Sequence, residues 1–420
     1  MSPEAKPPIV QKITSPDQDL NRASEQHVGT RPEWLCKIYR RIGVVAVATV
    51  CLGAAIVPHA DTIATVSRLG ERDLETVMNH APQFEFRQYS AEQAIVSTYN
   101  TYHLREGFYV DSIDAPSGFA SAWSQYQLLN MLELASLARI NTDVKIDSTS
   151  NQANAAIDTY WGSAPSGYPA GYNATKKYGL GTPDRYVDDN LWMARYKMNQ
   201  YRQTGSRADI AKVKDIMTLF LSQRAANGAA YWKVQFATET NRDQCMVSNA
   251  TAIPTLIDMY MHGFGDESYV TAAEQVYDWT NMLLDPVTGL YFDKVMTNGE
   301  IDKTIYTYGQ AEMIDSLVAL NQIDSARFPM SKAVELARRA LDHFANRGGY
   351  GISKFDAIFL QSVMRLAFKT NDPDLIAGIH HAMKLVKSVM PESPTNLADA
   401  AGDTSILILI SLPFSDWGKV

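Results

Sequence analysis

Cysteine is scarce: of three in 420 residues, only Cys245 lies beyond residue 60. The main body of the chain therefore holds no internal disulfide, and its stability must come from a buried core. Metal-ligand clusters are also missing. The eight histidines form no H-E-x-x-H and no Cys/His set, so neither a metal nor a cofactor is expected. There is no phosphate loop, no G-x-G-x-x-G and no G-x-S-x-G elbow, which removes the usual signatures of nucleotide enzymes and serine hydrolases. Basic charge is outnumbered, 38 Lys and Arg against 46 Asp and Glu, for a net charge of −8. A nucleic-acid partner would need a concentrated basic face, so none is expected.

Long apolar runs are equally few. Residues 1–41 are rich in Pro, Ser, Gln and Asp and read as a disordered tail. Lys37, Arg40 and Arg41 then precede the uncharged run Ile42 to Val57. Its length falls between a signal-peptide core and a bilayer span, and the basic flank orients the remainder outward. Residues 42–60 are read as a signal anchor or signal-peptide core, 61–89 as a linker and 90–420 as one large domain. That domain is expected outside the cytoplasm, membrane-anchored through the apolar segment or secreted if the segment is cleaved, and monomeric.

The remainder is patterned as helices. Ser90-Ala91-Glu92-Gln93 looks like a capping box, with Ile95, Thr98, Tyr99 and Tyr102 on one face. Further helices are predicted over 119–139, over 152–161, from Val187, over 207–223, from Val247 and over 268–284. Others start near Thr307, Met330, Lys354 and Pro373, and a last apolar helix runs over 404–412. Polar or aromatic motifs recur near the first helix of successive pairs: Asp188-Asp189-Asn190, Ser248-Asn249-Ala250, Tyr308-Gly309-Gln310, Lys354-Phe355-Asp356 and Asp403-Thr404-Ser405. With the helix carrying Trp123 this makes six pairs, the pattern of an all-α (α/α)6 barrel of about twelve helices. Periodicity equally allows a linear solenoid. In a barrel, the first members of all pairs begin on one face, and their motifs converge there.

Tyr186-Val187-Asp188-Asp189-Asn190-Leu191-Trp192 is the stretch richest in chemistry. Two consecutive aspartates at a helix start are most simply a cap pair favoured by the helix dipole. Here, however, they follow a Gly-, Pro- and Tyr-rich loop over 162–185 and stand between aromatic residues. Glycoside hydrolysis needs two carboxyls, one charged and one protonated, and a retaining mechanism wants them roughly 5–5.5 Å apart. Neighbouring helical positions are compatible with that spacing, and mutual repulsion would raise one pKa. The 21 Tyr, 14 Phe and 7 Trp add rings that can stack on sugar faces, although core packing is the commoner use of any single ring. Trp123, Tyr172, Tyr186, Asn190, Trp192, Trp232, Asn249, Tyr308, Gln310, Lys354 and Phe355 are the candidate substrate-binding residues.

At these residues the chain resembles glycoside hydrolase family 76, the endo-α-1,6-mannanase family. The likeness runs in order through Tyr186 to Ala194, Tyr231-Trp232, Ser248-Asn249-Ala250, Tyr277-Asp278-Trp279, Tyr306-Thr307-Tyr308-Gly309-Gln310 and Lys354 to Phe359, covering roughly residues 90–412. The resemblance implies an (α/α)6 barrel, a polysaccharide substrate, Asp188 as nucleophile and Asp189 as general acid/base of a retaining mechanism. Met193 stands where the family often has a second aromatic residue, and Gly309 where it usually has Asn. Three functions follow: a retaining α-mannan hydrolase, a transglycosidase or hydrolase of another extracellular polysaccharide, and a non-catalytic glycan-binding barrel.

Overall fold

The computed structural model describes residues 89–114, 119–163, 169–176, 184–236, 239–391 and 393–420. The expected tail, apolar segment and linker up to residue 88 lie outside the described residues. Among the described residues no helix is long and apolar enough to cross a membrane.

The helices, in chain order, are α1 (Ala91–Tyr102), α2 (Ala122–Leu137), α3 (Ile146–Asp158), α4 (Val187–Thr204), α5 (Ile210–Ser222), α6 (Met246–Ala250), α7 (Ala252–Met261), α8 (Glu267–Thr280), α9 (Thr307–Asn321), α10 (Met330–Arg347), α11 (Ser353–Thr370), α12 (Pro373–Val389) and α13 (Leu397–Ser411). Thr251 keeps helical dihedrals between α6 and α7, so the two run on as one element and the described residues form twelve helices. Their starts follow local chemistry. Ser90 and Gln93 close the capping box of α1, Asp266 caps α8, and Asp372 with Pro373 behind it starts α12.

Two helix types alternate. On α10 the buried residues are Ala333, Leu336, Ala337, Ala340, Leu341 and Phe344, one stripe at helical spacing with charge on the other side, as an outer helix requires. By contrast α13 is buried at nearly every position from Leu397 to Leu409, and α2 from Ser124 to Ala135. Helices α2, α4, α6–α7, α9, α11 and α13 each pack on the next, and α13 packs back on α2. That last contact closes the ring and excludes the solenoid. Outer helix α1 seats on α13, so the two ends of the domain form the sixth pair. Thr98 and Thr404 are joined across this seam by a 2.9 Å hydroxyl contact, and the Tyr102 hydroxyl donates to the Pro394 carbonyl at 2.9 Å.

Short antiparallel pairings mark the connections. They are β1 (His103–Arg105) with β2 (Phe108–Tyr109), β3 (Trp161–Gly162) with β4 (Gly171–Tyr172), and β5 (Gln244–Cys245) with β6 (Lys294–Val295) and β7 (Ile301–Asp302). The last two sets lie in connections that lead into the inner helices α4, α6 and α9.

Two helix boundaries depart from expectation. Helix α3 begins at Ile146, earlier than 152, and its N-cap Lys145 offers no side-chain cap, so no capping residue announced it. Helix α13 begins at Leu397, because Asn396 accepts the Asp399 N–H. Asp403-Thr404-Ser405 therefore stands two turns inside the helix, buried, and not at its start.

Candidate active site

The fourth residue of three inner helices is an amide, and each does the same work. Asn190 Oδ1 accepts the Tyr172 N–H at 2.6 Å, while its Nδ2 donates to the carbonyls of Tyr172 at 2.9 Å and Tyr186 at 2.7 Å. Asn249 Oδ1 accepts the Ala230 N–H at 2.7 Å and its Nδ2 reaches Ala230 O and Cys245 O. Gln310 accepts the Tyr291 N–H at 2.9 Å and donates to Tyr291 O and Tyr306 O. Each amide thus imitates a strand partner for one loop residue and also satisfies the carbonyl of the N-cap residue. All three side chains are 0% exposed. The expectation that Asn190, Asn249 and Gln310 bind substrate is corrected: they fasten the loops that surround the site. On α11 the equivalent residue is Asp356, which accepts from the Gly351 N–H and the Thr307 hydroxyl, both at 2.8 Å.

Clamped in this way, the first turn of α4 presents Asp188 and Asp189. The Val187 N–H donates to Trp232 O at 2.9 Å, which ties the helix start to the loop carrying Trp232. Asp188 Oδ2 accepts the Trp232 indole N–H at 2.9 Å, and Oδ1 accepts the Asp189 N–H at 3.0 Å. Burial pushes the Asp188 carboxyl up to about 6, against the opposing pull of these donors. Asp189 is only 9% exposed, and its carboxyl has no hydrogen-bond partner among the described residues. Burial, and then the charge of Asp188, hold its carboxyl well above the usual range. The two carboxyls are chemically unequal: one is furnished with donors to its anion, the other is placed to keep a proton.

A third carboxylate, Asp293, went unremarked in the sequence. It precedes β6, its carbonyl accepts the Met246 N–H at 2.7 Å, and its negative charge is felt by Asp188, Cys245 and Tyr308. Burial raises it to about 6, with Lys294 opposing. Its only sequence signal is that it follows two rings, Tyr291-Phe292, as Asp188 follows Tyr186.

Half-buried rings flank the carboxylates. The Tyr186 ring lies 4.9 Å from that of Trp232. Tyr308 stacks on Phe355 at 3.9 Å and 6°, Tyr306 meets Phe355 edge-on at 5.6 Å, and Trp123 bridges Phe355 at 6.5 Å and Trp192 at 5.7 Å. Lys354 pairs with Asp399 at 3.0 Å beside Phe355. Trp123, Tyr186, Trp232, Tyr308, Lys354 and Phe355 are thus gathered with the carboxylate pair. Two other expected contacts are not among them. Trp192 is 1% exposed and packs under Trp123 and Tyr126. Tyr172 is fully buried and gives its hydroxyl to Asp158 at 2.8 Å. Both support the site from within the core. No group of three or more metal-ligating side chains is assembled among the described residues.

Comparison with known proteins bears on what such a site does. The family model for glycosyl hydrolase family 76 matches residues 88–400. No curated protein matches the chain. Among solved structures, a GH76 α-mannanase of Bacteroides thetaiotaomicron superposes with a TM-score of 0.63 at 17% identity, covering 82% of this chain and 97% of that one. The GH76A α-1,6-mannanase from a Salegentibacter species gives 0.59 at 15% identity, with 81% and 98% covered. A sugar epimerase from a ruminal bacterium gives 0.56 at 8% identity, with 80% and 98% covered. At these identities the structural likeness shows a shared fold.

Proposed function

The chain belongs to glycosyl hydrolase family 76 and is a glycosidase, and from that premise we infer that it cleaves α-mannosidic linkages, α-1,6 in the first instance, of a polysaccharide with retention of configuration. The observation that carries this reading is the inequality of the two adjacent carboxyls. Asp188 is the nucleophile: the Trp232 indole and the Asp189 N–H, at the positive end of α4, favour its anion. It attacks the anomeric carbon and forms a glycosyl ester as the bond to the leaving oxygen breaks. Asp189 gives that oxygen its proton, then removes one from the incoming water, whose oxygen displaces Asp188. The half-buried rings supply faces for sugars on either side of the bond being cut. One solved relative, an α-1,6-mannanase made inactive by changing two consecutive aspartates to asparagine, is held in complex with α-1,6-mannotriose, which supports both the residues and the linkage. We also propose that the enzyme works outside the cytoplasm, where a polysaccharide can reach it.

Asp188→Asn and Asp189→Asn are each expected to lower kcat on α-1,6-mannan by at least about 100-fold while the far-ultraviolet dichroism stays unchanged. Nuclear magnetic resonance of the first product should show the α anomer. A folded variant with full activity would overturn the assignment. Products longer than the starting chains would show transfer in place of hydrolysis.

A further inference from the structure

The inner helices begin at the carboxylate pair and end around a second, separate space. On α4, Asn199 stands about 16 Å further along the axis than Asp188, at 1.5 Å of rise per residue. There, walled by residues of α2, α4, α7, α9 and α11 and by Gly418, Lys419 and Val420, lies a cavity of about 380 Å³. Pockets from about 300 Å³ upward hold small ligands.

The wall of this cavity has an unusual balance. Its cations are already matched. Arg195 pairs with Glu312 at 2.7 Å and with Asp315, Arg365 pairs with Asp315 at 2.6 Å, and Arg202 pairs with Asp258. What is left without a partner is neutral: Asn130 Nδ2, Thr255 Oγ1 and Gln361 Nε2. These residues are 6%, 1% and 7% exposed, and all three line the cavity. Buried donors without partners cost stability unless something else satisfies them. Nearby, Glu133 accepts from Gln203 at 2.7 Å.

We propose that this cavity is a second binding site, distinct from the catalytic one, for a neutral, hydroxyl-rich molecule of one or two sugar rings. An anion is disfavoured because the negative ends of the inner helices surround the space and every arginine is spoken for. A cation is disfavoured because the free groups include two amide NH2 donors, whose positive hydrogens need an acceptor and repel positive charge. Hydroxyl groups meet both needs, since each can accept from Asn130 and Gln361 and donate to Glu133. That exchange suits Glu133, whose carboxyl burial raises to about 7, so it presents acceptor oxygens without a firmly held charge.

The test is hydrogen–deuterium exchange on the full chain with D-mannose as the neutral probe, and gluconate and glucosamine as charged controls. Mannose should slow exchange over residues 130–139 and 199–205 in addition to any protection near Asp188. Asn130→Leu with Gln361→Met should weaken the far-end protection about tenfold, leaving mannan hydrolysis and protection near Asp188 intact. Exchanging unsatisfied donors for apolar groups of similar shape should not harm folding, and Thr255→Val provides an independent second variant. Because the proposal does not rest on the catalytic assignment, far-end protection should persist in Asp188→Asn. Protection confined to the catalytic end, far-end protection indifferent to these variants, or equal protection by gluconate or glucosamine would each overturn it.

Discussion

Among the described residues, the indole N–H of Trp232 is the single donor from another element that steadies the Asp188 anion, so its loss should be read in the pH profile before it is read in the fold. A hydrogen bond to a charged group is worth about 1.5–3 kcal/mol, and Trp232→Phe should move the acid limb of kcat/KM up by about one unit or more. Asp293→Asn acts in the opposite sense. Its negative charge helps to hold the Asp188 carboxyl up, so removing it should shift the acid limb downward. The two limbs belong to the Asp188–Asp189 pair as a unit, which makes the contrast between the variants more informative than either apparent value. If both variants shift the limb in the same direction, the electrostatic assignment fails. A pH-independent loss of activity in Trp232→Phe would instead assign the indole to sugar stacking.

Between elements, the repeated amide clamp explains much of what could and could not be read from the chain. The recurrence of Asn190, Asn249 and Gln310 near helix starts was visible, and it correctly marked the inner helices. Their role was not visible, because an amide one turn into a helix looks the same whether it faces a loop or a ligand. Only the backbone partners Tyr172, Ala230 and Tyr291, 18 or 19 positions earlier, decide it. Asp188 and Asp189 were legible because they are adjacent and stand on a periodic element. Asp293 was not, because a loop has no period against which a residue can stand out. The start of helix α3 escaped for the complementary reason: it has no capping side chain. Asn190→Leu tests the clamp. It strands the N–H and C=O of Tyr172 and one Tyr186 carbonyl contact, at roughly 1–3 kcal/mol for each buried group left unsatisfied. A fall in stability of about 3–5 kcal/mol is expected in urea unfolding, with kcat lowered because the start of α4 loosens. A variant as stable as the parent would show that the clamp is replaceable.

Across the whole barrel, charge buried between the inner helices makes stability depend on pH with a definite sign. Burial raises Asp356 to about 6, Glu133 to about 7 and Asp403 to about 8. Asp403 is fully buried on α13. Neither of its carboxylate oxygens has a hydrogen-bond partner, although Ser353 lies close enough to oppose the shift, so its anion is poorly satisfied. A carboxyl whose pKa is higher folded than unfolded binds its proton more tightly in the native state. Its contribution is therefore complete below the unfolded value near 3.9 and is lost as pH rises to the folded value. Asp315 has the opposite sign. Its charge is held down to about 2 by Arg365 and Arg195 against the cost of burial, so its contribution is present above about 3.9 and lost as pH falls toward 2. The barrel should accordingly be most stable in mildly acidic solution, with Tm falling as pH climbs from about 5 to 8. Asp403→Asn removes the largest of these titrations while keeping the side chain's shape. It should leave Tm nearly unchanged at about pH 4 and raise it at pH 8, by a stabilisation on the order of a few kcal/mol. Calorimetry at the two pH values checks this, and an equal change at both would mean that Asp403 is charged in the folded barrel throughout.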